Sequence, residues 1–208
     1  VSEKIDLKKE HRELFAVRRS PHLVELPERA CLAVEGAGAP QDEQYQYAVG
    51  ALYAAAYKLK FGRKKAGVGP DFVVPPLETE WWDVTGARCD PLARPDTTRW
   101  RAMIMLPDFV ADADVATATA AATALAGNGA PANPMLRRLR RDTVAGGRAA
   151  QVLYVGPYAD LGDAIRRLHQ FIDSEGLTPT GRHHDTYLND PRRAAPEKLK
   201  TILRQPVA

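Results

Sequence analysis

At 208 residues, with 45% hydrophobic and 26% charged side chains, the chain is long enough to bury a core and has the composition of a globular domain, which excludes a collagen-like or disordered polymer. A net charge of +3 with bases interleaved among acids leaves no nucleic-acid footprint. Cys31 and Cys89 lack metal-ligand spacing, the N-terminus is polar, and no apolar run approaches the roughly 20 residues that span a bilayer; a cytoplasmic protein without membrane contact is expected.

Residues 1–20 read as a basic, partly helical lead-in ending at Pro21. The stretch HLVELPERACLAVEGAGAP, His22 to Pro40, predicts a strand through about Val34 and then a Gly/Pro-rich loop. From Gln41 to Phe61, residues Tyr45, Ala48, Val49, Leu52, Ala56 and Leu59 recur at three and four, one stripe of an amphipathic helix with Gly62 as its stop. A strand over about 71–83, the turn-rich CDPLARPD and a strand RWRAMIMLP follow. An alanine-rich helix is expected over about 108–127, and PMLRRLRRDT reads as a short surface helix with solvated arginines.

The second half restarts the same order. RAAQVLYVGPY is a strand, and ADLGDAIRRLHQFIDSEG is a helix with Leu161, Ile165, Leu168 and Ile172 on one face and Gly176 at its end. RHHDTYL is a strand closed by the turn NDP, and APEKLKTILR is a last short helix that buries Leu199, Ile202 and Leu203. The repeated order predicts an α+β fold of two similar units.

FVVPPLETEWWDV sets Glu78 and Glu80 beside Trp81 and Trp82 in a predicted strand. Alternation puts Glu78, Glu80, Trp82 and Val84 on one face and Leu77, Thr79, Trp81 and Asp83 on the other; in the next strand Arg99, Arg101, Met103 and Met105 share a face. Two readings stand open. Glu78 and Glu80 lie across from Arg99 and Arg101 on an exposed face, each pair contributing a few tenths of a kcal/mol. Alternatively the face is a pocket wall, where indole accepts flat aromatic or cationic ligands and a desolvated carboxylate becomes a proton acceptor near neutrality, or stays charged and pairs with a lipophilic cation.

Tyrosines stand at element junctions: Tyr154 and Tyr158 in YVGPY, and Tyr187 two residues after Asp185 on the same strand face. Alone, Tyr187 reads as core and Asp185 as a surface acid. Together, a phenol donates to a developing oxyanion while a carboxylate orients water. His183 and His184 are adjacent and face opposite ways, so no metal site is expected. GAGAP lacks nucleotide-loop spacing and no G-x-S-x-G elbow occurs.

CLAVEGAGAP, YAVGALYAAAYKLK, FVVPPLETEWW, LYVGPYADLGDAIRRLHQFI and GRHHDTYLNDPRRAAPEKLKTILRQPV, in this order, resemble the stand-alone GyrI-like small-molecule-binding proteins. The resemblance implies two strand-helix-strand-strand units with pseudo-twofold symmetry, whose concave sheet surface and two long helices form a ligand cleft. It implies one domain over 1–208, with a first unit at about 22–107, a linking helix at about 108–127 and a second unit at about 147–208. It further implies binding of flat hydrophobic, often cationic drug-like molecules and hydrolysis of cyclopropanoid, cyclopropapyrroloindole-type genotoxins; the alternative is a non-catalytic drug sink or sensor. Glu78 or Glu80 would position water, Tyr187 or Tyr158 would polarise the leaving oxyanion, and Trp81 or Trp82 would stack on the ligand, with Tyr154 and Asp185 also lining it. The partners would be aromatic or lipophilic cationic small molecules, not nucleic acid or membrane, with no cofactor. Two departures stand out: Asp185 takes a place where the family often has glutamate, and Glu80 is an additional acid.

Overall fold

In the computed structural model, which describes residues 4–86, 94–125 and 133–208, two helical turns, α1 (Leu7–Glu10) and α2 (Arg12–Phe15), precede β1 (His22–Leu26) and β2 (Arg29–Ala37). There follow α3 (Glu43–Ala66), β3 (Leu77–Asp83), β4 (Thr98–Met105) and α4 (Asp112–Leu125). The second half supplies β5 (Arg140–Val144), β6 (Gly147–Val155), α5 (Leu161–Ser174), β7 (His183–Tyr187) and β8 (Lys200–Pro206). All eight strands form one antiparallel sheet in the order β1-β6-β8-β7-β3-β4-β2-β5. The α+β class is as expected.

Outward from the β7–β3 junction, the order is β7-β8-β6-β1 on one side and β3-β4-β2-β5 on the other. Each side contains a strand-helix-strand-strand run, β6-α5-β7-β8 or β2-α3-β3-β4, and each is capped by the strand that precedes the other run. Only Pro27 and Glu28 join β1 to β2, although these strands stand first and seventh in the order. The sheet must therefore curl to bring them together. Gly146, in the β5–β6 turn, sits so close to that link that a Cβ would meet the Leu26 carbonyl oxygen at 2.6 Å.

One face of the sheet carries the long helices. Tyr45, Ala48, Leu52, Ala55, Ala56 and Leu59 of α3 bury against Leu32, Val34, Trp100, Ala102 and Ile104, while Leu168 and Ile172 of α5 bury against Ala150, Val152 and Leu203. The far face holds Cys31, Ala33, Met103 and Val144, and next to them Leu7 and Leu14 of the lead-in helices pack on Met105. Among the described residues no helix is long and apolar enough to cross a membrane.

Several elements differ from the sequence expectation, each for a local reason. Helix α3 runs through Gly62, which costs about 1 kcal/mol against alanine, and stops at Gly67, whose left-handed backbone (φ 66°) caps it. The predicted strand at 71–83 starts only at Leu77, because Pro75 and Pro76 have no N–H for the ladder. The strand through Val34 is two strands, parted by Pro27 and Glu28. PMLRRLRRDT is a 3-10 turn (Pro134–Arg138) with Met135 and Leu136 buried, followed by β5. The expected last helix is a 3-10 turn (Pro196–Lys198) leading into β8, an interior strand. Leu199, Ile202 and Leu203 are buried as expected, but a strand buried on both faces has no alternation to separate it from a helix. Of CDPLARPD, residues 89–93 lie outside the described residues.

Candidate functional site

Helix α3 packs on β2 and β4, and α5 on β6 and β8, so β3 and β7 lie between the two helices at the centre of the sheet. Side chains directly opposite in an antiparallel pair share a face. The register Leu77↔Tyr187, Thr79↔Asp185 and Trp81↔His183 therefore puts these six residues on the helix side. They form the floor of the sheet between α3 and α5.

On that floor His183 Nε2 lies 2.9 Å from Asp185 Oδ1, and the Tyr187 hydroxyl donates to Asp185 Oδ2 at 3.3 Å. Tyr45, from the first turn of α3, shares a 2.7 Å hydrogen bond with Thr79 Oγ1, and its ring centroid lies 5.2 Å from that of Trp81. From the other side, the 3-10 turn that leads into α5 (Tyr158–Asp160) sets the Tyr158 ring edge-on to Tyr187 at 5.6 Å. The Tyr154 hydroxyl donates to the Pro157 carbonyl at 3.0 Å, which ties down the turn carrying Tyr158.

Asp185 is 5% exposed, and among the described residues its ion-pair partner is His183. Burial pushes the Tyr187 phenol well above its usual pKa, with Tyr45 and Asp185 adding to the effect. Burial, then Asp185 and Asp190, pushes Tyr158 up to about 12. Both phenols therefore keep their protons at neutral pH, and Tyr187 donates its own to Asp185. A phenol, a carboxylate and aromatic walls suit a flat ligand with a positive charge or a carbonyl oxygen.

The far face of the same two strands is chemically different. Glu78, 2% exposed, accepts from Arg29 Nη2 at 2.9 Å and lies 2.8 Å from His184 Nε2. Burial raises its carboxyl pKa, but Arg29 and the His184 hydrogen bond outweigh that and leave it well below the carboxylate range. Burial keeps His184 below the usual imidazole value despite its bond to Glu78, and brings Arg204 down to about 10. Glu80 takes both arms of Arg101 at 3.1 and 2.8 Å, and Arg182 at 3.3 Å. Arg182 in turn lies over the Trp82 ring, 3.6 Å from its centroid.

The structure thus separates the sequence candidates. Trp81, Asp185, Tyr187 and Tyr158 come together on the helix-covered face, with Tyr154 tying down the turn that carries Tyr158. Glu78, Glu80 and Trp82 are on the opposite face, and neither glutamate meets the tyrosines, because strand alternation and register turn them away. Glu80 pairs with Arg101 across the strands, whereas Glu78 lies opposite Met103. Each glutamate instead meets arginine, Glu78 at Arg29 and Glu80 at Arg101 and Arg182.

Sequence reasoning missed His183, Tyr45 and Thr79. The H-x-D-x-Y alternation of His183, Asp185 and Tyr187 is a signal for the first; Tyr45 was indistinguishable from helix core. Among the described residues no group of three or more His, Cys, Asp or Glu is arranged to hold a metal.

A family model for the GyrI-like small molecule binding domain matches residues 108–208. An uncharacterized conserved protein from Listeria innocua is 37% identical, with a TM-score of 0.87, over 99% of this chain and 100% of its own. A protein described as a hydrolase from Listeria innocua is likewise 37% identical over the same shares, with a TM-score of 0.81. The EcmrR C-terminal domain, at 14% identity and a TM-score of 0.61 over 91% of this chain and 97% of its own, shares the fold. No curated protein matches the sequence.

Proposed function

The chain belongs to the GyrI-like small-molecule-binding family, and from that premise we propose that the cleft over β3 and β7 holds a flat aromatic, often cationic molecule and hydrolyses cyclopropane-fused ones of the cyclopropapyrroloindole type. The two runs, about 22–107 and 147–208, then act as halves of one binding domain joined by α4. The observation that carries this reading is the Asp185–Tyr187 pair, 3.3 Å apart among aromatic walls. A 37% identical relative is described as a hydrolase, which supports chemistry as well as binding.

The reaction asks little of the protein. A cyclopropane fused to a dienone opens when water attacks its ring carbon: the carbon–carbon bond breaks, its electron pair moves into the ring system, and the carbonyl oxygen becomes a phenolate. Asp185 takes the proton from the attacking water. Tyr187 donates to the developing oxygen anion, with Tyr158 packed edge-on beside it. Each contributes about 10²–10⁴-fold in rate. The product is the substrate plus one water. Asp185 thus fills the place that sequence reasoning gave to Glu78 or Glu80. Trp81 forms the floor beside Tyr45, and Trp82, covered by Arg182 on the far face, takes no part.

The test is incubation with an excess of a cyclopropane-fused dienone, followed by mass spectrometry. Gain of one water over many equivalents, lost in Asp185→Asn, is expected. Tryptophan quenching without any turnover would overturn the hydrolase and leave a cation-binding cleft.

A further inference from the structure

Helix α3 carries a row of rings that the reaction above does not use. Tyr53, Tyr57 and Phe61 fall at i, i+4 and i+8, so each ring lies against the next. Their centroids are 6.3 and 6.0 Å apart at interplanar angles of 26° and 17°. Exposure rises along the row, from half-buried Tyr53 to Tyr57 at 46% and Phe61 at 56%. The outward face of a helix on a sheet is normally polar, and contiguous exposed rings mark a binding surface.

The row is continuous with the cleft. Tyr45 lies by Trp81, and the Tyr53 hydroxyl lies by the Leu77 backbone, so α3 runs antiparallel to β3. Passing from Tyr45 to Tyr53 goes from the His183 end of the floor to the Tyr187 end. Tyr158, on the facing wall, is close enough to Tyr53 and Asp190 for both to raise its phenol pKa. Tyr57 and Phe61 follow, each turned about 40° further from the buried stripe, so the row climbs from the floor toward the outward face of α3 over about 12 Å of helix.

We propose that Tyr53, Tyr57 and Phe61 form a stacking subsite for the distal rings of an elongated, multi-ring ligand whose cationic or reactive head lies at Asp185. This rests on the cleft being the ligand site. The row is one ring wide and opens from the cleft, which fits the tail of a rod-shaped small molecule. Such a subsite selects for length, because a single-ring head group reaches Asp185 without touching Tyr57 or Phe61.

The experiment compares two monocations by calorimetric titration: benzyltrimethylammonium, with one ring, and a rod-shaped N-methyl styrylpyridinium dye. The variants are Tyr57→Ala, Phe61→Ala, both together, and Asp185→Asn. Alanine at exposed helix positions keeps the helix, and thermal melting checks the fold. The double variant is expected to weaken the dye about 10- to 100-fold and to leave benzyltrimethylammonium within about twofold. Unchanged dye affinity in the double variant would overturn the subsite. So would a wild-type dimer that the double variant turns into monomer with dye affinity intact, because the row would then be covered by a second copy. Asp185→Asn is expected to weaken both probes. If it weakens neither, the cleft reading itself fails, whatever the row does.

Discussion

Strands β3 and β7 present a buried carboxylate on each face, and the two are held in opposite ways. Glu78 sits between Arg29 and His184, with Arg204 close enough to act on it. Its charge is matched and its hydrogen bonds are filled, so it has little left to offer a ligand. Among the described residues Asp185 meets an imidazole and a phenol and makes no ion pair with arginine. The lesson is that acids near tryptophans in a sequence mean little until the face is known. A carboxylate that arginine saturates braces the fold, and one that it leaves alone is free for chemistry.

The comparison can be broken most forcefully at Glu78. Glu78→Gln leaves buried arginines without their counter-charge and is expected to cost about 3–5 kcal/mol of stability, read by urea unfolding. Cation affinity of the folded variant should change less than about threefold; a variant of normal stability that binds no cation would reverse the two roles. On the cleft side, Tyr187→Phe is expected to lower turnover of a cyclopropane-fused dienone by about 10²–10³-fold while its melting temperature stays near that of the wild type. A variant with full activity would remove Tyr187 from the chemistry.

The pH dependence of stability sharpens the contrast. His184 is held below its ordinary 6.5 in the folded chain, so below that pH the unfolded chain takes up the proton first. Stability should fall as pH drops from about 6.5, by at most about 1.4 kcal/mol per unit for this one group. The Glu78 carboxyl is depressed from its ordinary 4.5, so its contribution is complete above 4.5 and is lost only at lower pH. His184→Asn should flatten the slope between pH 6.5 and 5; an unchanged slope would assign it to another group. A smaller effect is expected at Glu80→Gln, about 1–2 kcal/mol, because its partner Arg101 keeps Asp142 as a counter-charge and its other partner Arg182 is part-exposed at the rim. A loss as large as that at Glu78 would make the rim as important as the interior.

Much of this was legible in the sequence, and the gaps have physical causes. The strand alternation already put Glu78 and Trp81 on opposite faces. It did not show which face the helices cover, because that is set by strand order, and β1 and β5 exchange places through contacts more than 100 residues apart in sequence. β8 was misread as a helix because Ile202, Leu203 and Arg204 are buried on both faces. Arg29, which decides the state of Glu78, reads in sequence as an ordinary basic residue near a turn. Asp185 and Tyr187 were visible as a pair two apart, but their meeting with Tyr158 depends on how the turn before α5 folds back onto β7.

The most direct test is the affinity of a styrylpyridinium monocation for Asp185→Asn beside Glu78→Gln and Glu80→Gln, each with its unfolding curve. Asp185→Asn is expected to weaken binding about tenfold or more with stability unchanged, and the glutamate variants to keep the affinity. Intact binding in Asp185→Asn together with loss in either glutamate variant would contradict the assignment of the cleft and place the ligand on the far face of the sheet.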